Sequence, residues 1–367
     1  MAQGLLGLER VDGVALAKLQ LYVDDPVLSV RGTLKECEAA IDLVVMVWLA
    51  MGIPLSWKKG KLFDSCTPHR WIGIMFHLTD DGALMRLPED YIKDVLKLLE
   101  PACAMNGQLS IGDLEVLVGK VARVAHVVPS ARPFVSGLWG ALAASKKLVA
   151  TSARPTLAKV STRRFCFSAS WVYALLAEDG SCPLALERLV TPRAPTPATT
   201  SGYRIEFDAS VYGGGAVLRD AQGKIREYFF TVWSWDDAPH LSVEPGNPKD
   251  QTYFEFLTLL LALVVWGDWF VDHSVAVLGD NVGALSGALS LRGRGALQAV
   301  ARELSWRRAR RRWAFAVAHL PSEHNSVADA LSRVADPAGK AWPGWALREA
   351  DCVKTPRVSE LWRAAPL

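Results

Sequence analysis

From residue 251 to 269 the chain reads QTYFEFLTLLLALVVWGDW, apolar on nearly every helical face and charged only at Glu255 and Asp268. A carboxylate in the second turn is costly in lipid, so this pattern predicts a buried core helix and not a membrane span. The shorter apolar run at residues 41–55 is interrupted by Asp42 and by Gly52-Ile53-Pro54, and is no span either. Around the long helix the periodicity alternates between strand and helix. Residues 203–209 alternate apolar and polar, Gly213-Gly214-Gly215 turns into 216–219, and Asp220-Ala221-Gln222-Gly223 turns into 224–231, which predicts a three-strand meander. Residues 274–279 form a continuous apolar run, hence a buried strand. Helices follow at 281–291 and 296–308, then a strand at 313–320 and a last helix at 325–334.

The N-terminal half carries a different rhythm. Residues 18–22 and 27–30 read as a hairpin with Asp24 and Asp25 at its tip, followed by a helix over 33–51 that Gly52 and Pro54 end. A second hairpin pairs 71–78 with 83–87 around Thr79-Asp80-Asp81-Gly82. Pro88 opens a helix with Glu89 and Asp90 in its first turn. Ser110 and Asp113 form a capping box for a helix whose apolar face runs through Leu114, Leu117, Val118, Val121 and Val124. Signals weaken between 152 and 202, where TPRAPTP at 191–197 reads as a linker, and the tail beyond Pro337 shows no period.

At 367 residues, half of them apolar, two or three soluble domains are expected. The net charge of +3 implies no polyanionic partner by itself. The distribution is less even: eight arginines fall between Arg292 and Arg312, opposed only by Glu303. Six scattered cysteines without a CxxC pair fit a reducing compartment, and Cys66 with His69 lacks the second pair that a zinc site needs. The N-terminal segment MAQGLLGLERVDG has no basic-then-apolar design, so an intracellular protein of cytoplasm or nucleus, not secreted, is the expectation.

Four acids, Asp208, Glu255, Asp280 and Asp329, each fall at the mouth of a different predicted element. Singly, Asp280 before Asn281 reads as a helix cap and Asp208 as a turn residue. Glu255 interrupts an apolar helix and needs a partner. Gathered at one sheet edge, the four would repel one another unless hard divalent cations neutralise them.

The segments FDASVYGGGAVL, TYFEFLTLLLALVVWG, LGDN and HNSVADALSR resemble the successive acidic motifs of the ribonuclease H domain in long-terminal-repeat and related retroelements, over residues 203–336. LYVDD at 21–25 resembles the reverse-transcriptase motif that presents two metal-binding aspartates, here Asp24 and Asp25. GIPLSWKKGKL is similar to the following lysine-bearing motif, WIGIMF to the primer-grip hairpin, and the segment 110–142 to the thumb. The alanine-rich style is similar to DIRS-type elements.

The resemblance implies an α/β chain: a partial palm over 1–87, a thumb-like helical region over 88–150, a connection and Pro-rich linker over 151–202, a ribonuclease H-like mixed sheet flanked by helices over 203–336, and a C-terminal tail over 337–367. It implies a metal-dependent endonuclease cutting the RNA strand of RNA–DNA hybrids, with two Mg²⁺ (or Mn²⁺) about 4 Å apart held by Asp208, Glu255, Asp280 and Asp329. His319 and His324 precede the last acidic helix, where some relatives place a histidine for product or proton transfer; His324 is favoured. Arg307, Arg308, Arg310, Arg311 and Arg312 offer a phosphate clamp, or simply meet the helix C-terminal dipole. Lys58, Lys59 and Lys61 would contact template or primer, or form a solvated loop. Trp233 and Trp235 would stack on bases or pack in the core, and backbone groups near Gly213 to Gly215 would meet 2′-hydroxyls. In the family a third polymerase aspartate lies on an earlier strand; the only acids before Tyr22 here are Glu9 and Asp12, so polymerase activity from this chain alone is not expected. The remaining alternatives are an inactive nucleic-acid-binding remnant and a subunit completed by a separate polymerase chain.

Overall fold

The computed structural model describes residues 10–11, 14–15, 17–22, 25–30, 32–56, 58, 60–61, 67–79, 82–150, 159–177, 186–190, 202–241, 243–270, 274–311, 313–338 and 341–362. They divide into two compact units, Met1–Pro88 with Leu189–Thr191, and Glu89–Arg188 with Pro192–Leu367.

In the first unit, the short strands β1 (Arg10–Val11) and β2 (Val14–Ala15) pair, and β3 (Ala17–Tyr22) pairs antiparallel with β4 (Asp25–Val30) in the register Tyr22↔Asp25. Helix α1 (Leu34–Ala50) starts on a reciprocal cap: Thr33 N–H donates to Glu36 Oε2 at 2.7 Å, and Glu36 N–H donates back to Thr33 Oγ1. Its buried Ala40 and Val44 pack with Ala17. Strands β5 (His69–Trp71), β6 (Ile74–Thr79) and β7 (Gly82–Arg86) then form a meander. The single strand expected over 71–78 is therefore broken. Ile72 and Gly73 both adopt positive φ, 45° and 79°, making a two-residue turn that pairs Trp71 with Ile74. A β-branched residue in that conformation is uncommon, which is why the sequence shows no sign of the turn.

The second unit begins with α2 (Glu89–Cys103), immediately after Pro88. Strand β8 (Gln108–Ser110) leads into α3 (Ile111–Val127), where the Ser110 hydroxyl accepts the Asp113 N–H at 3.0 Å as expected. The apolar face read from the sequence is buried along its whole length. Helix α4 (Arg132–Ala150), strand β9 (Lys159–Ser161) and helix α5 (Cys166–Leu176) follow. Helix α5 lies in the stretch that carried no sequence signal. It is apolar on all sides, so it has no stripe to detect, and Trp171 stacks on Phe134 at 4.6 Å. Strand β10 (Glu187–Val190) ends in Leu189 and Val190, which belong to the first unit and border β7 there.

The rest of the second unit is a mixed α/β layer structure. Strands β11 (Arg204–Ala209), β12 (Gly213–Arg219) and β13 (Ile225–Val232) form the expected antiparallel meander. Helix α6 (Gln251–Trp266) precedes β14 (Ser274–Gly279), and α7 (Val282–Ser290) and α8 (Leu297–Arg311) precede β15 (Ala314–His319). Helix α9 (Ser326–Ser332) follows. The strand order is β13-β12-β11-β14-β15, with β14 parallel to both β11 and β15.

Two neighbouring glycines show how the faces are covered. A Cβ on Gly214 would collide with Thr258 of α6, whereas one on Gly215 would meet Leu331 and, at 2.8 Å, the Ala328 carbonyl of α9. Alternate residues of a strand face opposite sides, so α6 and α9 sandwich the sheet. Of the residues expected to form a turn, Gly213 closes it, its carbonyl accepting the Ser210 N–H at 2.8 Å, while Gly214 and Gly215 are ladder positions of β12 paired to both neighbours; all three are buried.

The segment Pro248–Phe270 is long and apolar enough to cross a membrane, yet 78% of its apolar 18-residue window is buried inside the protein. Phe254, Phe256, Leu259, Leu260 and Trp266 fill the core beneath the sheet, each worth roughly 1.5–3 kcal/mol on burial. The tail is also packed. Val353 N–H donates to the Tyr228 carbonyl at 2.8 Å, Trp342 lies edge-on to Phe230, and α10 (Val358–Leu361) buries Leu361 in the same core.

Candidate metal centre and nucleic-acid interface

Asp208 is the penultimate residue of β11, and Asp280 directly follows β14, its parallel neighbour. Parallel strands end at the same edge, so the two carboxylates arrive side by side. Glu255 comes from the second turn of α6. Gln251, one turn earlier, fixes it by donating from Nε2 to Glu255 Oε1 at 3.0 Å and to the Ala209 carbonyl at 2.6 Å. One oxygen each from Asp208, Glu255 and Asp280 lie within 4.8 Å of one another.

The fourth acid, Asp329, enters from α9 on the opposite face. It is not in that triad. Its Oδ1 accepts from Arg333 Nε at 2.8 Å, and Arg333 also approaches Asp336 at 3.6 Å. Asp329 stands near enough to Asp208 to raise its pKa.

Burial and like charge govern the protonation of this cluster. Asp208 and Glu255 are 5% and 3% exposed. Burial pushes the Asp208 carboxyl up to about 7; the Ser332 hydroxyl opposes the shift, and Asp329 and Asp280 add to it. Glu255 is raised well above the ordinary carboxylate range, first by burial and then by Asp208 and Asp280. Glu255 Oε2 is buried with no hydrogen-bond partner. A carboxylate with one unpartnered buried oxygen, clustered with two other carboxylates, is the donor set that a hard divalent cation takes, so Asp208, Glu255 and Asp280 can hold a metal ion.

Several supporting residues escaped the sequence reading. Ser332 donates to Asp208 Oδ2 at 2.6 Å, Ser322 to Asp280 Oδ2 at 2.6 Å, and Asn325 Nδ2 to the Phe207 carbonyl at 2.8 Å. Helical spacing was the available signal: Ser332 and Arg333 lie three and four residues beyond Asp329. The helix cap after β14 is Asn281, which accepts the Ala284 N–H at 3.0 Å, and this leaves Asp280 for the cluster. His319, opposite Gly279 in the ladder, and His324, in the turn Ser322–His324, are both exposed at the acid end of the sheet.

The arginine run, read above as either a phosphate clamp or a partner of the helix dipole, is partly engaged within the fold. It closes α8 just before β15 begins, whereas the acids lie at the edge where β11, β14 and β15 end. Arg307 Nε pairs with buried Glu303 at 2.6 Å and its Nη2 donates to the Leu361 carbonyl at 2.7 Å. Arg308 lies over the Phe315 ring at 5.1 Å, Arg310 over Trp306 at 5.3 Å, and Arg311 pairs with Asp268 at 2.9 Å. Arg307 in particular is an internal ligand of the fold and no free clamp. Arg312 lies outside the described residues.

Trp233 is core, stacked on Phe254 and donating to the Ser210 carbonyl at 3.0 Å, while Trp235 is 68% exposed. Lys58 and Lys61 are exposed in the first unit. Lys59, Asp24, Cys66 and the side chain of Asp25 lie outside the described residues.

No protein-family model matches the sequence, and no curated protein matches it. Solved structures similar to the chain include ribonuclease H1 from the halophilic archaeon Halobacterium salinarum NRC-1, at 19% identity over 35% of this chain and 92% of its own, with a TM-score of 0.26. Two structures of the foamy viral protease-reverse transcriptase with double-stranded DNA are also similar. One is 13% identical over 87% of this chain and 58% of its own, TM-score 0.34; the other, the dRH form, is 14% identical over 83% and 46%, TM-score 0.33. This chain thus spans about half the length of the viral protein. At such TM-scores the likeness carries no functional weight, and the acid cluster itself does.

Proposed function

We propose that residues 203–336 form a divalent-metal-dependent endonuclease that cleaves the RNA strand of RNA–DNA hybrids, within a reverse-transcriptase-like retroelement protein. The observation that carries this reading is the acidic triad of Asp208, Glu255 and Asp280, the first two buried, with ligand oxygens within 4.8 Å and one Glu255 oxygen unpartnered. The motif resemblance supplies the substrate class. A divalent cation bound there, Mg²⁺ or Mn²⁺, supplies Lewis-acid stabilisation of the charge that develops on a phosphodiester under attack by water.

The chain's own residues do the rest. Asp208, Glu255 and Asp280 would hold the cation, and Gln251 and Ser332 fix the orientation of two of them. Asp329, tied to Arg333, closes the opposite wall with further negative charge. Hydrolysis adds the water oxygen to phosphorus and breaks the bond to the 3′-oxygen, leaving a 5′-phosphate and a 3′-hydroxyl. The exposed imidazoles of His319 and His324 stand at the mouth, where His324 can deliver the proton that the departing 3′-oxygen takes up.

The test is a labelled RNA–DNA hybrid incubated with the purified chain in Mg²⁺, in Mn²⁺ and in chelator. Cleavage confined to the RNA strand, dependent on metal and lost in Asp208→Asn, is expected. Hybrid binding without fragments under every metal condition would leave only a binding remnant, and an Asp208→Asn protein as fast as the parent would remove the reading.

A further inference from the structure

A group of arginines on the far side of α7 has no part in the acid cluster. Arg132 opens α4; its Nε donates to the Ala125 carbonyl and its Nη1 to the Ser290 carbonyl, both at 3.4 Å. Arg188 Nη1 donates to the adjacent His126 carbonyl at 3.2 Å. Arg308 approaches from α8, partly buried over the Phe315 ring, and Arg292 lies two residues beyond the end of α7. Arg132 and Arg308 feel the others: burial lowers Arg132, and Arg188 and Arg292 add to that; burial likewise lowers Arg308, with Arg132 and Arg188 adding. Among the described residues none of the four forms an ion pair.

The ordinary explanation for cations here is the helix dipole, since the α3 and α7 C-terminal carbonyls face the group. Two helix ends offer about half a charge each, which offsets roughly one of four guanidinium charges. About three remain, in a setting where partly buried positive charge seeks an anion.

The geometry points to a phosphate-binding notch, built by Arg132, Arg188, Arg292 and Arg308 where the helical region meets the sheet domain, that grips the backbone of the nucleic acid whose scissile bond lies at the acids. Helix α7 links the two places: it starts beside Asp280, and its last carbonyl, Ser290, receives Arg132. Its nine residues span about 13 Å, or roughly four phosphates along one strand. A duplex lying along α7 reaches both. Arginine suits the notch because its planar fork matches phosphate oxygens. This inference rests on the hybrid-cleaving reading for the identity of the duplex.

The experiment reads binding apart from cleavage. Fluorescence anisotropy of a labelled hybrid with the full chain is followed in chelator across a salt series, for the parent, Arg188→Ala, Arg292→Ala and the double variant. Melting curves check that each is folded. Each substitution is expected to weaken binding about tenfold and to lower the salt slope by roughly 0.9. Arg292→Lys should recover part of the affinity. Folded variants that bind with parental affinity and slope overturn the notch. So does a loss of tripolyphosphate binding with hybrid binding intact, which assigns the arginines to a free polyphosphate. A parent that binds with a steep salt slope but releases no fragments in Mg²⁺ removes the nuclease reading and leaves the notch standing.

Discussion

Ser332 reaches across 124 positions of sequence to donate its hydroxyl to Asp208 Oδ2 at 2.6 Å, while the same oxygen lies 2.9 Å from the Asp329 carbonyl. One buried side chain on α9 therefore ties the last helix to the first strand at the point where the acids meet. Its own carbonyl accepts from Ser210 at 2.7 Å, so the contact is doubly anchored.

Removing that hydroxyl leaves Asp208 without the hydrogen bond that counters its upward shift. Ser332→Ala should cost about 1–2 kcal/mol of stability, seen in denaturant midpoints. Divalent-cation affinity near neutral pH should fall as well, because a more basic carboxylate competes with the metal for a proton. Unchanged cation titration by calorimetry would dissociate Ser332 from the site.

The pH dependence follows from the same carboxylate. Asp208 titrates at about 7 when folded and near 3.9 when unfolded, so between these values the native state holds a proton that the unfolded chain has lost. Stability without metal must then fall as pH rises from about 4 to 7, and the raised Glu255 acts in the same direction. In chelator the protein should melt higher at pH 5 than at pH 8. Saturating Mg²⁺ should raise the pH 8 value most, since the ionised acids bind it. A chelated protein more stable at pH 8 would contradict the burial of these carboxylates.

Much of this site could be read in the chain because its signals are local. Glu255 stands out in an apolar helix, Asp280 closes an apolar strand, and Ser110 announces α3 three residues before its partner. What stayed hidden depends on partners distant in sequence. Helix α5 has no polar face to give a period. The tail residues around Val353 have meaning only against Tyr228 on the edge of the sheet. Ser332 and Gln251 are ordinary polar residues until the fold sets a carboxylate beside each. The partner of Arg307 was hidden for the same reason, since Glu303, buried one turn earlier, looks from the sequence like one more surface charge.

The glycines of β12 set how closely α9 can approach. Gly215→Val places a side chain against Leu331 and the Ala328 carbonyl, pushing off the helix that carries Asp329 and Ser332. A loss of about 1–3 kcal/mol or more is expected, with cleavage lost in proportion to the displaced acid. Gly119→Ala is the contrast, because a Cβ on that exposed residue of α3 meets nothing within 4 Å. It should stabilise by about 0.5–1 kcal/mol and leave cleavage unchanged. Thermal melts of the two should move in opposite directions.

Arg307 and Arg310 sit one turn apart on α8 and should behave differently when truncated. Arg307 pairs with Glu303, which is 1% exposed, and also holds the Leu361 carbonyl. Arg307→Ala removes a charged partner from a buried carboxylate, at a cost of about 3 kcal/mol. It also frees α10, so limited proteolysis should cut within 337–367 sooner than in the parent. Arg310 rests over the Trp306 face with an exposed guanidinium, and Arg310→Ala should cost under about 1 kcal/mol and leave the tail protected. Equal denaturant midpoints for the two variants would show that Glu303 does not depend on Arg307, and would return that arginine to the solvent-facing run that the sequence suggested.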